Sequence, residues 1–438
     1  MTGERGIISQ TELSSSVTRG KRWPIAFLLA FGVLVNFLDR INLSVSRVAL
    51  NVSFGVSLVG FGYLSSAYSW TYAAMQMPSG VLLDRFGIRR VVRFSILLWS
   101  IACFAAALAP GIAWFLAARL LLGISEAPTF PANAKAIGSW FPTQERSLAM
   151  AVTDAAAKFS TALGVPVLGL LLLHFGWRWS FAATGFASLF YFIVFFRLYR
   201  DPANDAPSSP ERANADHSQM RRGHPGVSLA YLLRQPKVYG LALGWGAYNY
   251  TFFLLLNWLP SYLSLSLRAD LLHSVLYTSV PWLLAGVSDL LIGGLLVDAL
   301  IQRGWDANRV RQTVMVAGMA MGLAILGTAR ASSPFSAVVC ISIALAGLSA
   351  MAPVAWTVPS LIAPGDTVGT IGGIANLSGQ IAAISAPIIT GYIVSATRSF
   401  KPAFALSTVV LFLGMAGYII LLGPIEKIPE PEDNSSND

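Results

Sequence analysis

The chain has 438 residues, of which 55% are hydrophobic and 12% charged, and a net charge of +9. Soluble domains carry about 25% charged residues, so composition alone excludes a soluble globular protein of this length. The cations collect at the ends of apolar runs and form no basic stripe, which sets nucleic acid aside as a partner and fits the positive-inside pattern of a membrane protein.

In chain order, residues 1–23 form a short tail that ends near Lys21 and Arg22. The apolar run that follows is too long for a signal peptide. It ends in Asp39-Arg40 where a small-residue cleavage site would be needed, so it reads as a first span. An apolar run of about 20 residues crosses a bilayer because its helix rises about 30 Å. Such runs place spans near 24–46, 58–83, 91–109, 112–138, 145–173 and 178–199. The polar stretch 200–235, with Pro202, Pro207, Pro210, Arg212, Arg221 and Arg222, reads as a cytoplasmic linker. Six more spans lie near 236–266, 273–301, 309–329, 334–360, 366–396 and 400–423. The remainder, 424–438, is acidic and proline-bearing and reads as a disordered tail. Cys103 and Cys340 lie in separate apolar runs, offer neither a disulfide framework nor metal spacing, and read as packing residues.

Lysine and arginine set the orientation. With the N-terminus inside, Lys21, Arg22, Arg85, Arg89, Arg90, the linker arginines, Arg303, Arg309 and Arg311 share the cytoplasmic side. The other side holds fewer cations, among them Arg47, Arg178 and Arg330. Both termini are therefore predicted to be cytoplasmic. The halves also repeat weakly. Gly80-Val-Leu-Leu-Asp84-Arg85-Phe-Gly87-Ile-Arg89-Arg90 follows the second span, and Gly294-Leu-Leu-Val-Asp298 follows the eighth. Six spans, a linker and six spans with a repeated signature is the organisation of parallel-repeat transporters. The predicted fold class is an all-α polytopic membrane protein. Its twelve transmembrane helices form two pseudo-symmetric six-helix bundles, 24–199 and 236–423.

These residues resemble a known family. The Gly-x-x-x-Asp-Arg-x-Gly-x-Arg-Arg loop at 80–90 resembles the signature loop of the major facilitator superfamily. Asn36-Phe-Leu-Asp39-Arg40, Gln76-x-Pro78-Ser-Gly80, Arg119-x-x-x-Gly123-x-x-Glu126-Ala-Pro128 and Gly372-Gly373-x-x-Asn376 resemble its anion:cation symporter family. That family includes bacterial galactonate, glucarate, hexuronate, phthalate and tartrate permeases, and more distantly sialin and the vesicular glutamate transporters. The resemblance implies proton-coupled uptake of small organic anions across a bacterial inner membrane. Nothing in the chain implies a bound cofactor or an obligate partner, and the carrier is expected to work as a monomer. The resemblance also implies that Asp84, with Arg85, Arg89, Arg90 and the repeated Asp298, belongs to a gate whose Asp84 pairs across the two bundles, with Gly80 allowing close helix approach. Tyr72 matches a substrate-site tyrosine of the family. Phe37 stands where galactonate carriers tend to have tyrosine, which removes a hydroxyl from the site.

Ionisable residues inside spans face a cavity or a partner, because their charge is costly in hydrocarbon. Counted at about 1.5 Å per residue, Arg40, Arg119 and Lys158 fall at one level in the outer half of the first bundle. Three cations at one depth would make an anion trap. The expected roles follow. Arg40 binds the anionic head of the substrate. Arg119 assists, and pairs with Glu126 when the site is empty. Asp39 and Glu126 carry the coupled protons, since burial and a neighbouring cation act in opposite directions on a carboxyl group. Asp154 and Lys158 are one turn apart and depart from the family pattern. Two readings of Lys158 stand: a substrate contact, favouring compact dianions or sulfonates, or a salt bridge with Asp154. Asp289 reads as a gating or packing contact. In the second bundle Tyr248, Asn249, Trp356, Ser360, Asn376 and Gln380 either hydrogen-bond substrate hydroxyls or pack helices. A carrier of compact dianions, aromatic acids or organosulfonates with the same fold, an exporter and a transport-like sensor are the competing readings. An enzyme is set aside, since the chain has no P-loop and no His-Glu-x-x-His.

Overall fold

The structure, a computed structural model, describes residues 10–141, 143–200, 227–266, 271–331, 333–364 and 367–430. Most of the predicted linker, with Arg212, Arg221 and Arg222, and the last part of the predicted tail lie outside the described residues.

Without water, backbone groups must be satisfied within the segment, so apolar runs of this length become helices. The N-terminal helices are α1 (Gln10–Val45), α2 (Arg47–Phe54), α3 (Leu58–Phe86), α4 (Ile88–Ala107), α5 (Ile112–Glu126), α6 (Thr129–Trp140), α7 (Thr143–Phe175) and α8 (Trp177–Leu198). After the short α9 (Leu229–Leu232) come α10 (Pro236–Ser266), α11 (Leu271–Ser288) and α12 (Val297–Gln302). A π-helical turn, Asp289–Leu296, joins α11 to α12. Then follow α13 (Ala307–Gly322), α14 (Pro334–Ile362), α15 (Val368–Thr397) and α16 (Lys401–Ala416). Single glycines reverse the chain between α3 and α4 and between α7 and α8. Gly87 and Gly176 hold φ of 77° and 81°, a region that side chains disfavour.

Helix covers the core of each predicted span. Among the described residues, ten helices are long and apolar enough to cross a membrane, or eleven if α2 and α3, bent by 116°, count as one. Helix α10 is as long, and Lys237 is its only charge. Its glycines, tyrosines and asparagines keep it outside that set. Most of α10 is buried inside the protein, so packing replaces hydropathy as the reason for its place. Large apolar side chains such as Leu163, Phe190, Leu291 and Ile420 point outward, as a lipid-facing surface requires.

Helix α1 packs on α7 and α8, α4 on α5 and α8, and α3 on α5. Among the C-terminal helices, α10 packs on α15 and α16, and α14 on α11 and α13. The two sets meet where α7 packs on α11 and on the π-helical turn after it, where α3 packs on α15, and where α1 packs on α10. These contacts close one end of the molecule. There Gly62 lies so near α15 that a Cβ would stand 2.6 Å from the Pro387 carbonyl oxygen. A Cβ at Gly391 would stand 2.7 Å from the Leu58 carbonyl oxygen. Phe61 meets Trp258 edge-on at 5.0 Å, Arg47 Nε donates to Ser261 Oγ at 2.6 Å, and Ser44 Oγ donates to the Asn257 carbonyl at 2.8 Å. The other end of α3 is unopposed: Met77 is 86% exposed, and a Cβ at Gly80 would meet nothing within 4 Å. The close approach expected at Gly80 is therefore absent here, because the helices there stand apart.

Candidate functional site

Three helices converge on one guanidinium. Phe37 and Arg40 are three residues apart and share a face of α1, while Tyr68 and Tyr72 share a face of α3 one turn apart. Arg40 Nε donates to Glu126 Oε2 of α5 at 3.2 Å, and the two side chains are 8% and 0% exposed. The Arg40 guanidinium carbon lies 4.6 Å from the ring centre of Phe37, 4.7 Å from Tyr68 and 5.2 Å from Tyr72. The two tyrosine rings stack at 5.4 Å. The site is thus an aromatic box around a cation, closed by a carboxylate. Desolvated ring faces attract a cation by about 2 kcal/mol, which offsets part of the cost of burying it.

Arg119 reaches the same Tyr68 ring at 5.6 Å, and its Nη1 donates to the Asp39 carbonyl at 3.2 Å. Arg40 Nη2 and Arg119 Nε are buried with no hydrogen-bond partner among the described residues. A buried donor left unpaired costs about 1–3 kcal/mol, so two of them on guanidinium groups that share the Tyr68 ring favour an incoming acceptor. Asp39 turns to another side. Cys103 Sγ of α4 donates to its Oδ1 at 3.1 Å and Ser188 Oγ of α8 to its Oδ2 at 3.5 Å. A small cavity bounded by Asp39, Cys103, Ala118, Arg119 and Phe181 lies beside it.

Two expectations change. Glu126 pairs with Arg40, not Arg119. Arg119 and Glu126 are seven residues apart on one helix, about 10 Å along its axis, whereas Arg40 enters from the facing helix. Lys158 also does not join the arginines. It is 2% exposed and engaged by Asp154 of its own helix and, at 3.0 Å, by Asp289 Oδ2 at the end of α11. The packing contact expected of Asp289 is this ion pair.

The remaining predicted residues form two groups. On the C-terminal helices, Trp356 is 50% exposed and meets Trp245 at 4.8 Å. Ser360 is exposed one turn on, donating to the Thr357 carbonyl. Asn376 is half-buried on α15, and Asn249 donates to the Trp245 carbonyl of its own helix. At the unopposed end of the molecule, Asp84 accepts from Lys135 Nζ at 2.6 Å, with both side chains exposed. That partner comes from α6, so the pairing of Asp84 across the molecule is absent in this state. Arg85 lies over Phe86 at 5.4 Å, Arg89 is half-buried, and Arg90 and Asp298 are exposed.

Sequence reasoning missed Cys103, read as a packing residue, and Ser188, both of which donate to Asp39. A thiol in an apolar run carries no signal of its own. The Tyr68 ring, one turn before Tyr72 on α3, lies against both arginines.

Comparison with known proteins places this geometry. Residues 29–387 match the Major Facilitator Superfamily. The chain is 36% identical to an uncharacterized transporter, YybO, of Bacillus subtilis (strain 168), over 98% of this chain and all of that one. It is 31% identical to a probable galactarate/D-glucarate transporter, GarP, of Escherichia coli (strain K12), over 93% of this chain and 96% of that one. The solved structure of a D-xylose-proton symporter superposes with a TM-score of 0.71 at 17% identity, covering 92% of this chain and 99% of that one, a likeness of fold alone. The chain belongs to the major facilitator superfamily, as a multi-pass membrane transporter of its anion:cation symporter family.

Proposed function

We propose that this chain imports small organic anions, sugar acids and related carboxylates, together with protons, by alternating access. The observation that carries the reading is the buried Arg40–Glu126 pair at 3.2 Å. A substrate carboxylate is a stronger competitor for a guanidinium than a single contact through Nε, because a planar carboxylate pairs with the fork bidentately. Arriving beside Arg40 Nη2 and Arg119 Nε, it displaces Glu126. Glu126, freed from its cation in a dry site, then takes up a proton. Asp39, held by Cys103 and Ser188 next to Arg119, is the second proton carrier. Tyr72 lines the arginine, and Trp356, Ser360 and Asn376 face the rest of the substrate. The galactarate/D-glucarate transporters among the relatives support a sugar-acid substrate. The alternative, a compact dianion or sulfonate bound by Lys158, would require that ammonium to leave both of its carboxylates.

The architecture of this reading is twelve spans in two six-helix bundles, 24–199 and 236–423, joined by the linker 200–235, in a monomer. Both termini lie in the cytoplasm. The closed end then faces outward and the structure is inward-open. Asp84, Arg85, Arg89, Arg90 and Asp298 stand apart here and meet when the carrier opens outward.

Proteoliposomes with an inward proton gradient test the reading. Labelled D-glucarate, galactarate or D-galactonate is expected to accumulate inside only while the gradient lasts, which separates a carrier from a sensor or exporter. Glu126→Gln protein is expected to keep exchange of the anion across equal concentrations and to lose accumulation. Accumulation by that variant, still fully driven by the gradient, would remove Glu126 from coupling.

A further inference from the structure

Away from the Arg40 cluster, three charged side chains meet where α7 packs on α11. Lys158 Nζ is bonded to Asp154, one turn earlier on α7, and lies 3.0 Å from Asp289 Oδ2. Lys158 is 2% exposed, Asp289 0% and Asp154 31%. Asp289 opens the π-helical turn Asp289–Leu296, the kind of local widening that occurs often at functional sites. Its Oδ1 is buried with no hydrogen-bond partner among the described residues.

Two carboxylates and one ammonium leave one negative charge without a counter-charge. Among the described residues, the surroundings do not supply it. Tyr248 of α10 is the other titratable group beside Lys158. Helix α14, packed on α11 and on the π turn, carries no charged residue. On α1, which packs on α7, Asp39 and Arg40 are engaged with Cys103 and Glu126. Lys135 of α6 is bonded to Asp84, Arg178 of α8 donates to the Ala109 carbonyl, and Arg197 lies in the last turn of α8. An uncompensated charge held at this depth is costly, and a single proton removes it. With the proton on either carboxyl, the other carboxylate and Lys158 form a neutral pair.

We infer that Asp154, Lys158 and Asp289 form a further proton site, one proton being shared between the two carboxylates across the ammonium and carried in addition to those of Asp39 and Glu126. The inference rests on the reading of this chain as a proton-coupled carrier. It also gives that proton a mechanical role. Lys158–Asp289 is, among the described residues, the ion pair that joins a helix before residue 201 to one after residue 226. Gain or loss of the proton therefore changes a contact that the two sets of helices must remake during alternating access.

Infrared spectroscopy of the full-length protein in lipid reads protonated carboxyl groups through their carbonyl stretch, with no substrate present. A carboxylic acid band is expected to disappear in Asp289→Asn and equally in Asp154→Asn, since either change leaves one ionised carboxylate balanced by the Lys158 ammonium and no proton to share. That band is expected to persist in Glu126→Gln and Asp39→Asn, which leave both carboxyl groups of the triad in place. Asp154→Asn keeps the Lys158–Asp289 contact, so its result stands even if Asp289→Asn protein folds poorly. A spectrum unchanged in Asp154→Asn overturns the proposal, as does a band lost only with Glu126→Gln or Asp39→Asn. Absence of anion uptake with the band still present would instead defeat the organic-anion reading and leave this site standing.

Discussion

The buried charge cluster around Arg40 and the broad aromatic wall lie on different helices. Around Arg40 the N-terminal helices gather two arginines, two carboxylates and three rings, all buried. On the C-terminal side, Trp245 stands 5.0 Å from Tyr248 and 4.8 Å from Trp356. Helices α14 and α15 carry no charge at all. Under the proposed function, the contrast gives the two regions different work. A charge cluster binds through long-range, desolvated attraction and can exchange protons, so it can hold both the anion and the coupling. A wall of rings and amides offers shape and hydrogen bonds, which discriminate among anions without affecting the proton.

The largest break in that comparison is expected from Arg40→Ala. It removes the cation of the aromatic box and leaves Glu126 buried without a partner. Breaking a buried pair in this way costs about 3–5 kcal/mol, so thermal unfolding in detergent should fall markedly. Anion uptake in proteoliposomes should drop by at least about 100-fold, the equivalent of two steps of 1.4 kcal/mol. Uptake within a few-fold of the unaltered protein would move the anion site away from α1.

A change between the two regions should have a smaller and different effect. Gly62 and Gly391 let α3 and α15 meet backbone to backbone, and a Cβ at Gly62 would stand 2.6 Å from the Pro387 carbonyl oxygen. Gly62→Val is therefore expected to hold the closed end apart. A cysteine introduced at Ser261, whose side chain is buried at that end, should react with an aqueous thiol reagent several-fold faster in the Gly62→Val background. Anion binding to Arg40 should survive while turnover falls. An unchanged labelling rate would show that the contact does not limit opening.

The two regions also differed in how far the amino-acid sequence revealed them. Hydropathy located the spans, because a bilayer demands apolar length whatever the partners. The charge-free run after Lys237 located α10, whose Tyr248, Asn249 and Asn257 lower its hydropathy. The presence of Arg40, Arg119 and Glu126 inside spans was itself the signal of a site. Their pairing was not legible. Arg40 and Glu126 are 86 residues apart, and helix rotation about its axis decides which charges face one another. For the same reason Lys158 could be matched to Asp154 by one-turn spacing, whereas Asp289 comes from a distant helix through a π turn that no sequence period announces. The aromatic wall was the least legible part, because a tryptophan in a span reads equally well as packing.

Trp356→Ala is the mildest test and the one that most sharpens the division of labour. Trp356 is half exposed, edge-on to Trp245, and touches no residue of the Arg40 cluster among the contacts described. Removing it deletes part of the wall without opening a fully buried cavity, so folding stability should change little. Loss of an aromatic contact amounts to about 0.5–1.5 kcal/mol, which corresponds to a rise in KM of up to about tenfold. The dependence of uptake on the proton gradient should stay as it was, because every proposed proton carrier lies on other helices. Measured across a set of sugar acids, the rise in KM should vary with the anion, since a wall reads shape while an arginine reads charge. A uniform loss for every anion, accompanied by altered proton dependence, would mean that Trp356 acts through the charged site, and the separation of the two regions would fail.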